Sequence, residues 1–446
     1  MFLIPEVIRE IFHYFSTPLH LHELNSFPWY LGHVCASWRA VFMTMPLHFW
    51  NKLDITLDFM DNLYDNPLRR KNRYELMLHV LRFFLDRTNR HPFSFQLERR
   101  FQCLEGEEDY IGSVLEMLVA ESTRWEDVFI RYQQSHVPIL YRARNRLPLL
   151  RSVQLLRSRF DGEQSLGYDL LEGASCLRSV SIADLCEWQM DWTQLRVLKI
   201  GQFHQGERLL SVLSQAKQLE KLAIYQSFSG FDLEPSTTLL SFESLRVLTV
   251  TEVGLLSIFY APCLEELYIN GWDDEDTVDN AITSFLLGSS CHLKRFGMAG
   301  CSAASLSIIL RHTPDLIHLN LDNGTSMVRS FDDLIFHRQR PDKLPAARYL
   351  QSLTLLDSGL SDLELMELCT LLGSRARRIT DDAGDVLVDK LRRLSIVMLD
   401  RSAQYCERGV VERLRRQCQG QEVQFTIDEA ANMPWPRHDN TRILDW

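Results

Sequence analysis

His20, His22 and Glu23 crowd two imidazoles and a carboxylate into four residues, the density from which zinc hydrolases are built. The spacing stops short of that chemistry. An H-E-x-x-H helix needs a second histidine one turn on, and Ser26 stands there. His20 and His22 alone make a weak two-ligand pair, read here as a solvated loop. Asp273, Asp274, Glu275 and Asp276 offer four carboxylates, but they precede a helical pattern, where they favour the N-terminal dipole over calcium. Asn323-Gly324-Thr325 fits a glycosylation acceptor and is read as a tight turn. The ten cysteines, at positions 35, 103, 176, 186, 263, 291, 301, 369, 406 and 418, never come closer than ten residues apart. Without a C-x-x-C, the usual zinc and thioredoxin-like signatures are absent. No G-x-x-x-x-G-K-[ST], G-x-G-x-x-G or G-x-S-x-G occurs either. The chain reads as a non-enzyme, with no catalytic residue, cofactor or metal site expected.

A chain of 446 residues, 46% hydrophobic and 24% charged, has room for two or more domains or one repeat array. Its net charge of -11 argues against a nucleic-acid partner, which requires a dominant basic stripe. The short clusters Arg69-Arg70-Lys71, Arg375 to Arg378 and Arg413 to Arg416 are read as solvated faces. No run of about 18 apolar residues suits a membrane span. Glu6, Arg9 and Glu10 interrupt the first apolar stretch, which is unlike a signal peptide. Reduced thiols in the cytoplasm or nucleus follow, with Cys176 and Cys263, each directly before a repeat leucine, expected as small buried packing residues.

Three helical patterns open the chain. Pro5 presets the first, and Val7, Ile8, Ile11, Phe12 and Phe15 give it one apolar stripe. After a polar loop at 16–27, Leu31, Val34, Cys35 and Trp38 fall at i, i+3, i+4 and i+7, predicting a second helix. Pro46 interrupts, then Leu47, Phe49 and Trp50 form a short apolar turn before the alternating strand Leu53, Ile55, Leu57.

Ile4-Pro5-x-Val7-Ile8-x-x-Ile11-Phe12, then Leu31-x-x-Val34-Cys35-x-x-Trp38-Arg39, then Pro46 and Trp50, resembles an F-box, closest to the fungal variant with a polar insert. Ile4-Pro5 stands where that family usually has Leu-Pro. The resemblance covers about an eighth of the chain. It implies a substrate-recognition subunit of an SCF-type cullin-RING ubiquitin ligase, docked on the Skp adaptor while the rest captures an unidentified target protein. Carried over from the matching positions, the adaptor surface is Ile4, Pro5, Ile8, Phe12, Leu31, Val34, Cys35 and Trp38. The alternative is an interaction scaffold whose N-terminal helices only cap the array.

From residue 92 the pattern apolar-x-x-apolar-x-apolar recurs eleven times, starting at Trp125, Leu150, Leu177, Leu195, Leu219, Leu245, Leu264, Leu293, Leu316, Leu350 and Leu391. The starts are 25, 27, 18, 24, 26, 19, 29, 23, 34 and 41 residues apart, mostly near the 20–29 of leucine-rich repeats. Helical patterns lie between them, as at Leu209, Leu210, Val212, Leu213 and at Val278, Ile282, Phe285, Leu286. The asparagine or cysteine usual after the last strand leucine is mostly missing, so the resemblance to that repeat family is degenerate. Phe93, Phe95 and Leu97, after an amphipathic helix at Met77 to Phe84, read as an earlier divergent unit.

The fold class expected is α/β, a small helical F-box followed by an irregular leucine-rich-repeat-like solenoid of strand plus helix. Its segments are 1–56 (helical domain), 57–91 (connector), 92–428 (solenoid, with longer loops near 322–348 and 376–390) and 429–446 (tail). If the leucines point inward, alternation sends their neighbours to a concave face. That face displays Lys221, Ala223 and Tyr225, then Val247, Thr249 and Thr251, then Glu266, Tyr268 and Asn270, then Arg295, then His318, Asn320 and Asp322. Tyr225, Tyr268, Asn270, His318 and Asn320 are the expected target contacts.

Overall fold

Pro5 takes the first helical position, where its missing N–H costs nothing, and the Ile4 carbonyl accepts from Val7 N (3.1 Å) and Ile8 N (3.2 Å) to start helix α1, Pro5–Tyr14. The computed structural model describes residues 4–14, 19–21, 29–46, 49–57, 67–88, 90–98, 108–157, 169–185, 188–225, 239–270, 275–299, 303–322, 334–335, 345–356, 362–380, 386–398, 408–421 and 423–429. The chain divides into two units, residues 1–199 and 200–446.

The first unit continues with β1 (Leu19–His20), α2 (Ala36–Met43), β2 (Lys52–Thr56), α3 (Pro67–Thr88), β3 (Phe93–Glu98), α4 (Glu108–Ala120), β4 (Trp125–Tyr132), α5 (Val137–Leu140), β5 (Ser152–Arg157) and β6 (Ser179–Asp184). Strands β1 to β6 lie side by side in chain order, all parallel. Apolar residues meet one for one: Leu53, Phe95, Val128, Val153 and Val180 form one row, and Ile55, Leu97, Ile130, Leu155 and Ile182 the next. Parallel neighbours need a crossover, which α3 and α4 supply as full helices. The segment 16–27, expected as a polar loop, contributes β1, and β1 and β2 belong to the same sheet as β3.

The second helix differs from its prediction. Trp29–His33 is a 3₁₀ turn, Cys35 is extended (φ -163°, ψ 173°), and only from Ala36 does α2 run. The Arg39 Nε donates to the Gly32 carbonyl at 2.8 Å, so a side chain satisfies the backbone where the helix breaks. Leu31 and Trp38 therefore do not share one helical stripe.

Strand β7 (Val197–Gln202) spans the division. The second unit then runs α6 (Gly206–Gln215), β8 (Lys221–Ile224), β9 (Leu240–Ser241), β10 (Val247–Val250), β11 (Phe259–Tyr260), β12 (Glu266–Ile269), α7 (Glu275–Ser289), β13 (Arg295–Ala299), α8 (Ala303–His312), β14 (His318–Asp322), β15 (Ser352–Leu356), α9 (Asp362–Ser374), β16 (Ile379–Thr380), β17 (Val386–Val388), β18 (Arg393–Met398), α10 (Arg408–Gly420) and β19 (Gln424–Glu429). Its large parallel sheet has the order β8-β10-β12-β13-β14-β15-β18-β19. Leu222, Leu248, Leu267, Phe296, Leu319, Leu353 and Leu394 stand in one row, with Ile224, Val250, Ile269, Met298, Leu321, Leu355 and Ile396 in the next.

All eleven repeat triplets end on these strands, and none of their residues is more than 3% exposed. The protein is thus mixed α/β around large parallel sheet, and the strand register follows the leucine spacing. The connections are uneven. Helices α6, α7, α8 and α9 fill the intervals beginning at Leu195, Leu264, Leu293 and Leu350, whereas among the described residues the short interval beginning at Leu177 holds the 3₁₀ turn Trp192–Gln194 and the one beginning at Leu245 holds the 3₁₀ turn Val253–Ile258 and β11. Segment 376–390, expected as a loop, carries the antiparallel pair β16–β17.

Two readings of polar residues are corrected by burial. Cys176 and Cys263 are exposed rather than buried, because in the turn before each strand the following leucine takes the inward position. Arg375, expected on a solvated face, is fully enclosed, and its guanidinium serves carbonyls: Nε donates to Leu334 (2.9 Å), Nη2 to Ala347 (3.2 Å) and Ala346 (3.3 Å), and Nη1 to Arg348 (3.4 Å). A fork of rigid donors suits four converging carbonyls. Burial lowers the Arg375 pKa to about 10, leaving it charged at neutral pH.

Candidate interaction surfaces

In the first unit the core beneath α1 and α2 is aromatic. Phe12 meets Trp38 edge-on at 5.5 Å between centroids and Phe42 at 6.2 Å, while Phe42 in turn meets Trp50 at 5.0 Å. Trp50 is fully buried, packs edge-on against Phe83 of α3 and lies under the Arg87 guanidinium at 5.6 Å. The three N-terminal elements are therefore fastened to α3.

That packing sorts the expected adaptor residues. Ile8 and Phe12 are buried, Trp38 is half-buried, and Pro5, Ile4, Val34 and Cys35 are exposed. Ile8 and Phe12 face the chain's own core, so any partner meets the outer set that they support. Leu31 sits in the 3₁₀ turn, with its side chain outside the described residues. Val7, part of the matching pattern but left out of the expected adaptor surface, is 40% exposed one turn from Ile4 at 60%, and Val34, on the turn that precedes α2, is 55% exposed.

On the sheet of the second unit, the residues between the leucines lie where alternation put them, but their exposure is not uniform. Tyr225 and Tyr268 are 6% and 5% exposed, and Asn270 is buried too. The tyrosines are core residues although the register is right, because β8, β10 and β12 are buried on both faces, Ala223 and Thr249 included. Tyr268 donates its hydroxyl to Glu266 Oε2 at 3.1 Å, whereas the buried Tyr225 hydroxyl has no hydrogen-bond partner among the described residues. Burial pushes both phenols well above the ordinary tyrosine range. His318 and Asn320 are half-buried. Two residues on this face were left out of the expected contacts: Arg295, which donates to Glu266 Oε1 at 2.7 Å, and Arg393, which donates to Gln424 Oε1 at 3.3 Å. The signal for Arg393 was its place before Leu394, the same offset that placed Arg295 before Phe296.

Among the described residues no three His, Cys, Asp or Glu side chains stand together as metal ligands. His20 Nδ1 lies 2.9 Å from Asp54 Oδ2, a pairing across β1 and β2; His22, Asp273, Asp274 and Asn323 to Thr325 fall outside the described residues. Cys291 and Cys418 are buried, which raises both thiols to about 11. Among the described residues no helix is long and apolar enough to cross a membrane.

No protein-family model matches the chain, and no curated protein matches it either.

Proposed function

We propose that the chain is the substrate-recognition subunit of an SCF-type cullin-RING ubiquitin ligase, docking on the Skp adaptor through its N-terminal helices and holding a target protein on the sheet of the second unit. Catalysis in this reading belongs to other ligase subunits. The observation that carries it is the exposure of Ile4, Val7 and Val34, at 60%, 40% and 55%, over a packed aromatic core. A helical cap that merely closes a repeat array needs a polar outer face. Large apolar groups held in water by buried neighbours are instead what a partner desolvates. The capping alternative draws on the Trp50 contacts with Phe83 and Arg87, which tie the trio to α3.

Co-expression with the Skp adaptor followed by size-exclusion chromatography tests the reading. Co-elution is expected, and Ile4→Asp with Val34→Asp should abolish it while leaving the fold intact. Separate elution of the wild-type chain would leave only the capping role.

A further inference from the structure

Helix α3 is covered unevenly. Tyr74, Met77, Leu81, Phe84 and Leu85 are buried at helical spacing and form its inward face, and Tyr74 stacks on Tyr110 of α4 at 4.4 Å between centroids, which closes one flank. The opposite flank is the line Arg73, Leu76, Val80, Phe83 and Arg87, each three or four residues after the last. Its C-terminal end is closed by Trp50, which meets the Phe83 ring edge-on at 6.2 Å and lies under the Arg87 guanidinium. Its N-terminal end is open: Leu76 is 50% exposed, Val80 is half-buried and Arg73 is exposed. Length explains the difference. The 22 residues of α3 span about 33 Å, whereas α2, which reaches it through Phe42 and Trp50, has eight residues, about 12 Å, too few to cover both halves.

Charge on α3 is one-sided as well. The helix carries six Lys and Arg against the two acids Glu75 and Asp86, in a chain with a net charge of -11. Both acids are exposed on the outward side, where Lys71 reaches Glu75 at 3.9 Å, and neither falls on the line from Arg73 to Arg87. Four of the cations, Arg69, Arg70, Lys71 and Arg73, occupy the first seven residues, where the helix dipole favours acids. Local helix stability is thus given up for a cationic end beside the open apolar flank.

We infer that the open flank of α3 is a docking site for an acidic amphipathic helix of a partner protein, laid alongside α3 with its apolar side chains on Leu76 and Val80 and its carboxylates toward Arg73 and the cations before it. The surface shares no residue with the proposed adaptor contacts and stands without the ligase reading. From Arg73 to Phe83 the flank runs about 15 Å, nearly three turns, the length over which a docked helix engages anchors at i, i+3 or i+4, and i+7. Apolar contact supplies the affinity, and the opposite charges supply orientation and the choice of partner. A lipid surface fits less well. A helix lying in a membrane buries its main apolar face there, and that face of α3 already rests on the chain's own core.

The test uses the full chain and three fluorescent helical peptides: one with leucines at every third or fourth position flanked by glutamates, one with lysines in place of the glutamates, and one with serines in place of the leucines. Anisotropy at low salt should show binding of the first alone. Leu76→Glu, at a position half in water, should weaken that binding about tenfold or more at an unchanged melting temperature, since it removes the apolar contact and repels the acids. No binding of the acidic leucine peptide, equal binding of the serine or lysine peptide, or equal binding by Leu76→Glu overturns the proposal. So does binding to phosphatidylserine vesicles that Leu76→Glu abolishes, which assigns the flank to a membrane, or a dimer in light scattering that Leu76→Glu dissociates, which assigns it to a second copy of the chain. Adaptor co-elution of Leu76→Glu should match wild type, so failure of the ligase reading and failure of this site are separately visible; its loss would make the flank part of the adaptor contact and overturn the separate site.

Discussion

The Phe12 ring stands edge-on to the Trp38 indole, 5.5 Å between centroids, so the first helix is held to the second from below while Ile4 and Val34 remain in water. Removing the two kinds of residue should have opposite signatures. Phe12→Ala opens a cavity and should cost about 3–5 kcal/mol of stability by urea denaturation. Val34→Asp should leave the melting temperature nearly unchanged and act only on adaptor co-elution.

Arg375 satisfies four backbone carbonyls at once. Arg375→Leu keeps much of the volume and strands those acceptors, so a loss on the order of 3 kcal/mol is expected in the urea transition of the second unit. Arg375→Lys should rescue little, since an ammonium cannot span the same fork.

Asp389 gives the second unit an acid-sensitive element. Burial alone would raise its carboxyl, but hydrogen bonds from Arg378 and the Lys390 N–H, the Arg378 charge and the Gln351 amide outweigh it and hold the group below the ordinary value. A depressed folded pKa contributes stability that is present above the unfolded value, about 3.9, and is lost as pH falls through the folded one. Asp389→Asn should therefore be less stable than wild type at pH 7, with the gap narrowing as the pH is lowered past 4. Parallel thermal melts across pH 3 to 7 would show it; a constant gap would refute it.

Tyr225 buries a hydroxyl that no described residue bonds, so Tyr225→Phe should raise stability by about 1 kcal/mol. Tyr225→Ala should lower it as a core truncation does. A surface role for this ring would leave both variants near wild type.

Much of this was legible in the leucines. Leu264, Leu267 and Ile269 specify a strand and its inward face together, because period-2 alternation and an invariant offset admit one register. What covers the other face is a long-range matter, and Tyr225 and Tyr268 gave no local sign of it. Cys35 hid a helix break inside a correct apolar spacing, since spacing says nothing of which backbone N–H groups a side chain such as Arg39 will compete for. Arg375 was misread among arginines that truly are solvated, such as Arg416, because the four carbonyls that enclose it come from residues 27 to 41 positions away.

In the second unit each strand of the large sheet bonds to the strands that come before and after it in the sheet's chain-ordered series. Tension between the ends of that unit would load these ladders one after another, perpendicular to the strands, as a zipper is opened rather than as a lap joint is sheared. Mechanically the sheet is a set of weak links in series. It would yield at low force, one strand and its crossover at a time, and a machine that pulls from either end would meet no single barrier guarding the whole.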